Sequence, residues 1–194
     1  MSRLKPIHPE DMTDSAQRAY YDKIMSRENF KSLPSGTPLS GPFHAYQRSP
    51  NFASKMSDVT SYLRHDGLLE KRLVELATII TGRFWSAEVV FASHAPAALA
   101  NGINEAAIEA IRHNKTPTFE RADEAAIYGF THTILNKRDV DDETYAATLD
   151  VLGEAGMVEL IALIGSYSLT SMTLNTFRIP VRPGMARPYP DKQD

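Results

Sequence analysis

The chain has 194 residues, 42% of them hydrophobic and 23% charged, a formal net charge of −3, and no cysteine. Such values belong to a globular chain long enough to bury one core, and they exclude a disordered chain, a disulfide framework, a thiolate metal site and thiol redox chemistry. No Lys/Arg run is interleaved with aromatics, so nucleic acid is not the expected partner.

The amino-terminal MSRLKPIHPEDM reads as an extended arm with no apolar signal core. No stretch approaches membrane-spanning length, so the expectation is a soluble cytoplasmic protein without a membrane partner. Thr13 or Asp14 can cap a helix carrying Arg18, Tyr20, Tyr21 and Ile24, and Asp14 with Gln17 has the form of a capping box. KSLPSGTPLSGP, residues 31–42, suits no regular element. It is either a lid over a binding site or a linker that straps the arm onto the core.

Ser49-Pro50 has the form of a helix start, and Phe52, Met56, Val59 and Leu63 follow at helical spacing as an expected inward face. His65-Asp66-Gly67 should end that helix. Residues 69–101, LEKRLVELATIITGRFWSAEVVFASHAPAALAN, form two apolar helical runs broken at Gly82-Arg83, with Gly102 as a second stop. A short connection makes them an antiparallel hairpin. With the turn centred near Phe84 and Trp85, Glu75 and His94 lie at equal distances from it and should face one another.

Asn104 is placed to cap a short helix with Ile108 and Ile111. A helix is expected over Phe119 to Asn136 with Ala122, Ala126, Phe130 and Ile134 inward. Asp141 or Asp142 should open another, with Tyr145, Leu149 and Leu152 on its face. The last, about Met157 to Phe177, is apolar almost all round and should be buried on most sides. From Ile179 onward Pro180, Pro183, Pro188 and Pro190 preclude a helix. No period-two strand pattern appears, so the fold class is all-α with seven or eight helices. Residues 1–48 read as an arm, helix and loop packing on the core, 49–180 as the helical domain, and 181–194 as an irregular tail. Alanine-rich faces and the apolar last helix point to a homo-oligomer.

No HExxH, Walker loop, dinucleotide fingerprint or GxSxG is present, and the histidines at 8, 44, 65, 94, 113 and 132 form no local ligand pair. No metal or cofactor is expected. The segment from about Gly41 to Pro180, through GPFHAYQRSP, YLRHDGLLEKRLVEL, WSAEVVFASHAPAALANGI and GSYSLTSMTLNTFRIP, resembles the carboxymuconolactone decarboxylase family of the alkylhydroperoxidase D-like superfamily. The superfamily's redox members are similar to a Glu, two cysteines three apart, and a His. Glu75 and His94 match the outer positions, while Ala87 and Val90 stand where the cysteines would be, so thiol hydroperoxidase activity is rejected.

The resemblance implies a cofactor-free decarboxylation of a small anionic lactone from aromatic breakdown, and trimers or hexamers. His94 is then the candidate acid, Glu75 its orienting partner, and Glu88 a second proton carrier or a group repelling the departing carboxylate. Arg83 and Arg64 are candidate carboxylate binders, and Trp85 and Tyr167 candidate pocket walls. Structural readings stand beside these: a core histidine with a buried carboxylate partner, a solvated Glu88, Arg83 on free helix-end carbonyls, and ordinary core aromatics. Lactone hydrolysis or isomerisation by the same pair, and a non-enzymatic metabolite-binding oligomer, are the alternative functions.

Overall fold

Every residue from Arg72 to Gly82 is buried, so one helix runs through the middle of the molecule with neighbours on all sides. The computed structural model describes residues 2–28 and 30–189. Its helices are α1 (Ser15–Met25), α2 (Pro42–Tyr46), α3 (Pro50–His65), α4 (Lys71–Phe84), α5 (Glu88–Ala100), α6 (Glu105–Arg112), α7 (Ala122–Lys137) and α8 (Asp142–Thr176). No strand occurs among the described residues. The central helix is α4, which packs against α5, α7 and α8.

Side chains start three of these helices. Asp14 Oδ1 accepts from the Ala16 amide at 2.8 Å, Asn104 Oδ1 from Ala106 at 2.8 Å, and Asp141 Oδ1 from Thr144 at 2.9 Å. Each such cap satisfies an otherwise orphaned amide and contributes about 1 kcal/mol. Gln17 does not complete a capping box; its side chain donates to the Gln47 carbonyl at 3.1 Å and ties α1 to α2. The arm contains a 3-10 turn at Pro9–Asp11 and is therefore not wholly extended. It returns to the far end of the chain, where the Arg3 amide donates to Phe177 O at 2.9 Å. Tyr20, Tyr21, Ile24, Phe30, Leu39 and Ala53 close a second, smaller core under this segment.

The hairpin turn differs from expectation in one respect. Gly82 does not end α4, which continues to Phe84. A Cβ on Gly82 would lie 2.8 Å from Val90 Cγ1, so the glycine is there to let α4 and α5 approach. Ser86 at φ 47° makes the turn instead, and the Ala87 amide donates back to Gly82 O at 2.8 Å. At the other end of α5, Gly102 at φ 96° closes a Schellman motif: Ile103 N donates to Ala98 O and Gly102 N to Leu99 O, each at 3.0 Å.

Two expected faces are rotated. On α3, Ala53, Ser57 and Leu63 point inward while Phe52 and Val59 are exposed, and Ala53 joins the small core that holds Tyr20, Tyr21 and Ile24 of α1. Phe52 instead packs edge-on to Tyr46 at 6.3 Å. Phe119 precedes α7. The inward face of α7 is Glu124, Ile127, Phe130 and Thr131; Ala122 is exposed, and Ala126 and Ile134 are half-buried. Arg72 of α4 draws that face round, donating to Glu124 at 2.8 Å and to Asp123 at 2.7 Å.

The two helices expected after Asp141 run as one element broken at Gly153 (φ 64°, ψ 175°) into arms 142–152 and 154–176. Tyr145 is exposed, and Leu149 and Leu152 are half-buried. In the long arm Leu160, Leu163, Ile164 and Tyr167 are buried, but Val158, Ile161 and Met172 remain exposed on one stripe. The described tail, 180–189, is irregular, with Tyr189 buried against Phe91. Met1 of the arm and Pro190 with the rest of the tail lie outside the described residues.

Gly82→Ala should lower unfolding free energy by about 1–3 kcal/mol, the usual cost of overpacking. Urea denaturation should show part of this recovered when Val90→Ala is added. Arg72→Ala should cost about 3 kcal/mol by the same measurement, because it leaves the buried Glu124 carboxylate with little compensation.

Candidate functional site

Four helices each deliver one side chain to the same place. Arg64 comes from the last turn of α3, Glu75 from the middle of α4, His94 from the middle of α5, and Tyr167 from the long arm of α8. The hairpin places Glu75 Oε2 2.6 Å from His94 Nδ1. The Tyr167 hydroxyl lies 3.3 Å from His94 Nε2, with the two rings edge to face at 85° and 5.1 Å between centroids. Arg64 Nη2 donates to the other Glu75 oxygen at 3.4 Å.

Burial decides the electrostatics. Glu75 is 1% exposed, and burial alone would push its carboxyl toward the neutral form. The hydrogen bond and charge of His94, followed by the guanidinium of Arg64, outweigh that cost and hold the carboxyl below its ordinary range. Burial works against the charge of Arg64 as well, yet Tyr167 and Glu75 hold it above its usual value. The phenol of Tyr167 is pushed up to about 12, first by burial, so it stays protonated across the working range.

These states fix the direction of each hydrogen bond. Carboxylate accepts, so His94 Nδ1 carries a proton and Nε2 of the neutral ring is left as an acceptor. The Tyr167 hydroxyl is the donor placed at that atom. Protonation at Nε2 gives an imidazolium braced by Glu75, and such a ring can release a proton to a ligand beside it. The His94 side chain is 13% exposed and that of Arg64 30%, so both reach the surface while Glu75 does not. Arg64 Nε is buried without a partner, a free donor on the same guanidinium.

Glu88, Arg83 and Trp85 are not part of this cluster. Glu88 lies in the first turn of α5 and accepts from Arg187 Nε at 2.9 and 3.2 Å. Six residues from His94 on a helix, it is turned about 120° away. Arg83 Nε donates to the Arg112 carbonyl at the end of α6 at 2.8 Å, and its guanidinium stacks 4.4 Å from the Tyr189 ring. Trp85 caps α4, and its carbonyl accepts from Asn175 Nδ2 at 2.7 Å. Ala87 and Val90 are buried and apolar. His44 is buried in α2, its Nε2 3.3 Å from the Leu4 carbonyl. No group of three or more His, Asp and Glu disposed to hold a metal occurs among the described residues. No helix among them is long and apolar enough to cross a membrane.

Solved structures define the class of the fold. The chain is similar to an alkylhydroperoxidase AhpD core, an uncharacterized peroxidase-related protein from Ralstonia eutropha, with a TM-score of 0.72 and 12% identity over 94% of this chain and 93% of that one. It is also similar to a protein of unknown function from Agrobacterium tumefaciens, put forward as an antioxidant defence protein AhpD. There the TM-score is 0.62 at 16% identity, over 71% of this chain and 95% of that one. No protein-family model and no curated protein matches the sequence. The chain has the all-helical fold of the AhpD core.

The depressed Glu75 carboxyl makes a signed prediction. A carboxyl whose folded value lies below its unfolded one, about 4.3 for Glu, adds stability above that value and loses it as pH falls through the folded value. Thermal midpoints of wild type and Glu75→Gln should therefore differ most near pH 7. The gap should narrow as pH falls below about 4.

Proposed function

We propose that Arg64, Glu75, His94 and Tyr167 form the active site of a cofactor-free decarboxylase acting on a small carboxylated lactone, of the carboxymuconolactone decarboxylase type that the sequence resembles. The observation that supports this reading is the 2.6 Å contact between a buried carboxylate and an imidazole that reaches the surface. The two solved neighbours carry peroxidase-related names, but peroxide reduction of the thiol kind needs a thiolate, and this chain has no cysteine.

Such a substrate carries its own electron sink. The bond to its carboxylate breaks, the electron pair passes through the ring alkene onto the lactone carbonyl oxygen, and carbon dioxide leaves. The dienolate then takes a proton at carbon from the His94 imidazolium, which regains one from water. Glu75 stabilises the charged ring, and Tyr167 is the neutral donor beside Nε2. Arg64 supplies the cation that holds the anionic substrate beside His94. The same reading takes the working form as a homo-oligomer, a trimer or hexamer, in which a second copy covers Val158, Ile161 and Met172 of α8.

Incubation with 4-carboxymuconolactone tests the proposal, with loss of ultraviolet absorbance and release of carbon dioxide as readouts. Wild type should turn over, His94→Gln should lose at least about 100-fold in kcat/KM, and Arg64→Met should raise KM. His94-dependent reaction with other butenolides but not this one would replace the reading with a lactone hydrolase or isomerase. Ligand binding without any reaction would replace it with a metabolite-binding oligomer.

A further inference from the structure

A cavity of about 400 Å³ lies between the C-terminal ends of α4 and α6 and the second half of α7. It is distinct from the His94 site. Arg83 on its wall is eight residues along α4 from Glu75, about 12 Å of helix rise. The volume falls within the range of small-molecule sites, roughly 300–1,000 Å³.

The lining divides by chemistry. Ile80 and Ile111 are almost fully buried and, with Leu135, give an apolar floor. Tyr128 and His132 form one wall, their rings stacked at 5.4 Å and 21°. Arg83 and Lys115 stand on the rim. No Asp or Glu contributes to the lining.

Basic residues near helix ends ordinarily answer the partial negative charge of the last carbonyls. Here Arg83 gives only one of its donors to that task, and Arg112 and Lys137 have carboxylates of their own. Arg83 Nε serves the Arg112 carbonyl, Arg112 pairs with Glu109 at 2.9 Å, and Lys137 pairs with Asp141 at 3.4 Å. Among the described residues no carboxylate pairs with the side chain of Arg83 or of Lys115, and these two cations face the cavity. Arg83 is also held in place, with Nη1 donating to Ser86 Oγ at 2.9 Å and the guanidinium flat on Tyr189. A fixed planar cation and an exposed ammonium beside an apolar floor match a carboxylate head on an apolar body.

We infer that this cavity is a second binding site, for a small organic carboxylate, with its head at Lys115 and Arg83 and its apolar body on Ile80, Ile111 and Leu135. The site is independent of the proposed decarboxylation, and its test does not involve that reaction. Octanoate is the probe, with octan-1-ol as its uncharged counterpart, measured by isothermal titration calorimetry on the full chain. Wild type should bind one octanoate per chain and bind octan-1-ol at least tenfold more weakly. Lys115→Glu, a change at an exposed position whose fold is checked by circular dichroism, should weaken octanoate at least tenfold. His94→Gln should bind octanoate as wild type does. Absence of octanoate binding, equal affinity for the alcohol, unchanged affinity in Lys115→Glu, or loss of binding in His94→Gln would each overturn the inference.

Discussion

An ionised carboxylate inside a helical bundle is the constraint around which this molecule is arranged. Glu75 is buried, and its desolvation is offset only because His94 and Arg64 reach it from two other helices. Removing one partner of a buried pair is far more costly than never having made the pair. The register of α4 against α5 therefore cannot slip without stranding that charge. Close approach at Gly82 and Val90 sets the register, and the Schellman turn at Gly102 ends α5 where α6 must begin. The packing and the chemistry of the Glu75–His94 pair have one common cause.

A second buried ionic cluster has a different character. Arg72 joins Glu124 and Asp123 between α4 and α7, and its hydrogen bonds hold the Asp123 carboxyl well below the usual carboxylate range. Nothing in it is short of a partner: Arg72 is shared among three acids. At the His94 site the hydrogen-bonding capacity is incompletely used, since Arg64 Nε has no partner.

The sequence shows the hairpin clearly because its evidence is local. Two apolar runs, a short connection and equal spacing put Glu75 opposite His94, and the structure has them in contact. Asp14, Asn104 and Asp141 likewise announce their helices through capping chemistry that needs no tertiary context. Faces are harder. On α3 the large apolar residues suggested the inward side, but Ala53 and Ser57 are buried there, Ala53 in the small core beside α1. On α7 a glutamate turned inward because its arginine sits on α4, 52 residues away in the chain. Arg64 and Tyr167 were suggested by family resemblance, as were Arg83 and Trp85, and spacing alone could not separate the two pairs. The cavity beside Arg83 left no periodic signal at all, since it forms where the ends of three separate helices meet.

Gly153 divides α8 unevenly. The 142–152 arm has one buried residue, Thr148, while the 154–176 arm carries Leu160, Leu163, Tyr167 and Leu174 into the core. With a break in the backbone between them, the two arms need not open together. Amides of the first arm should exchange with solvent through small local openings, and those of the second only when the interior itself comes apart. Tyr167 is anchored in the second arm, so fraying at the surface leaves the hydroxyl beside His94 undisturbed.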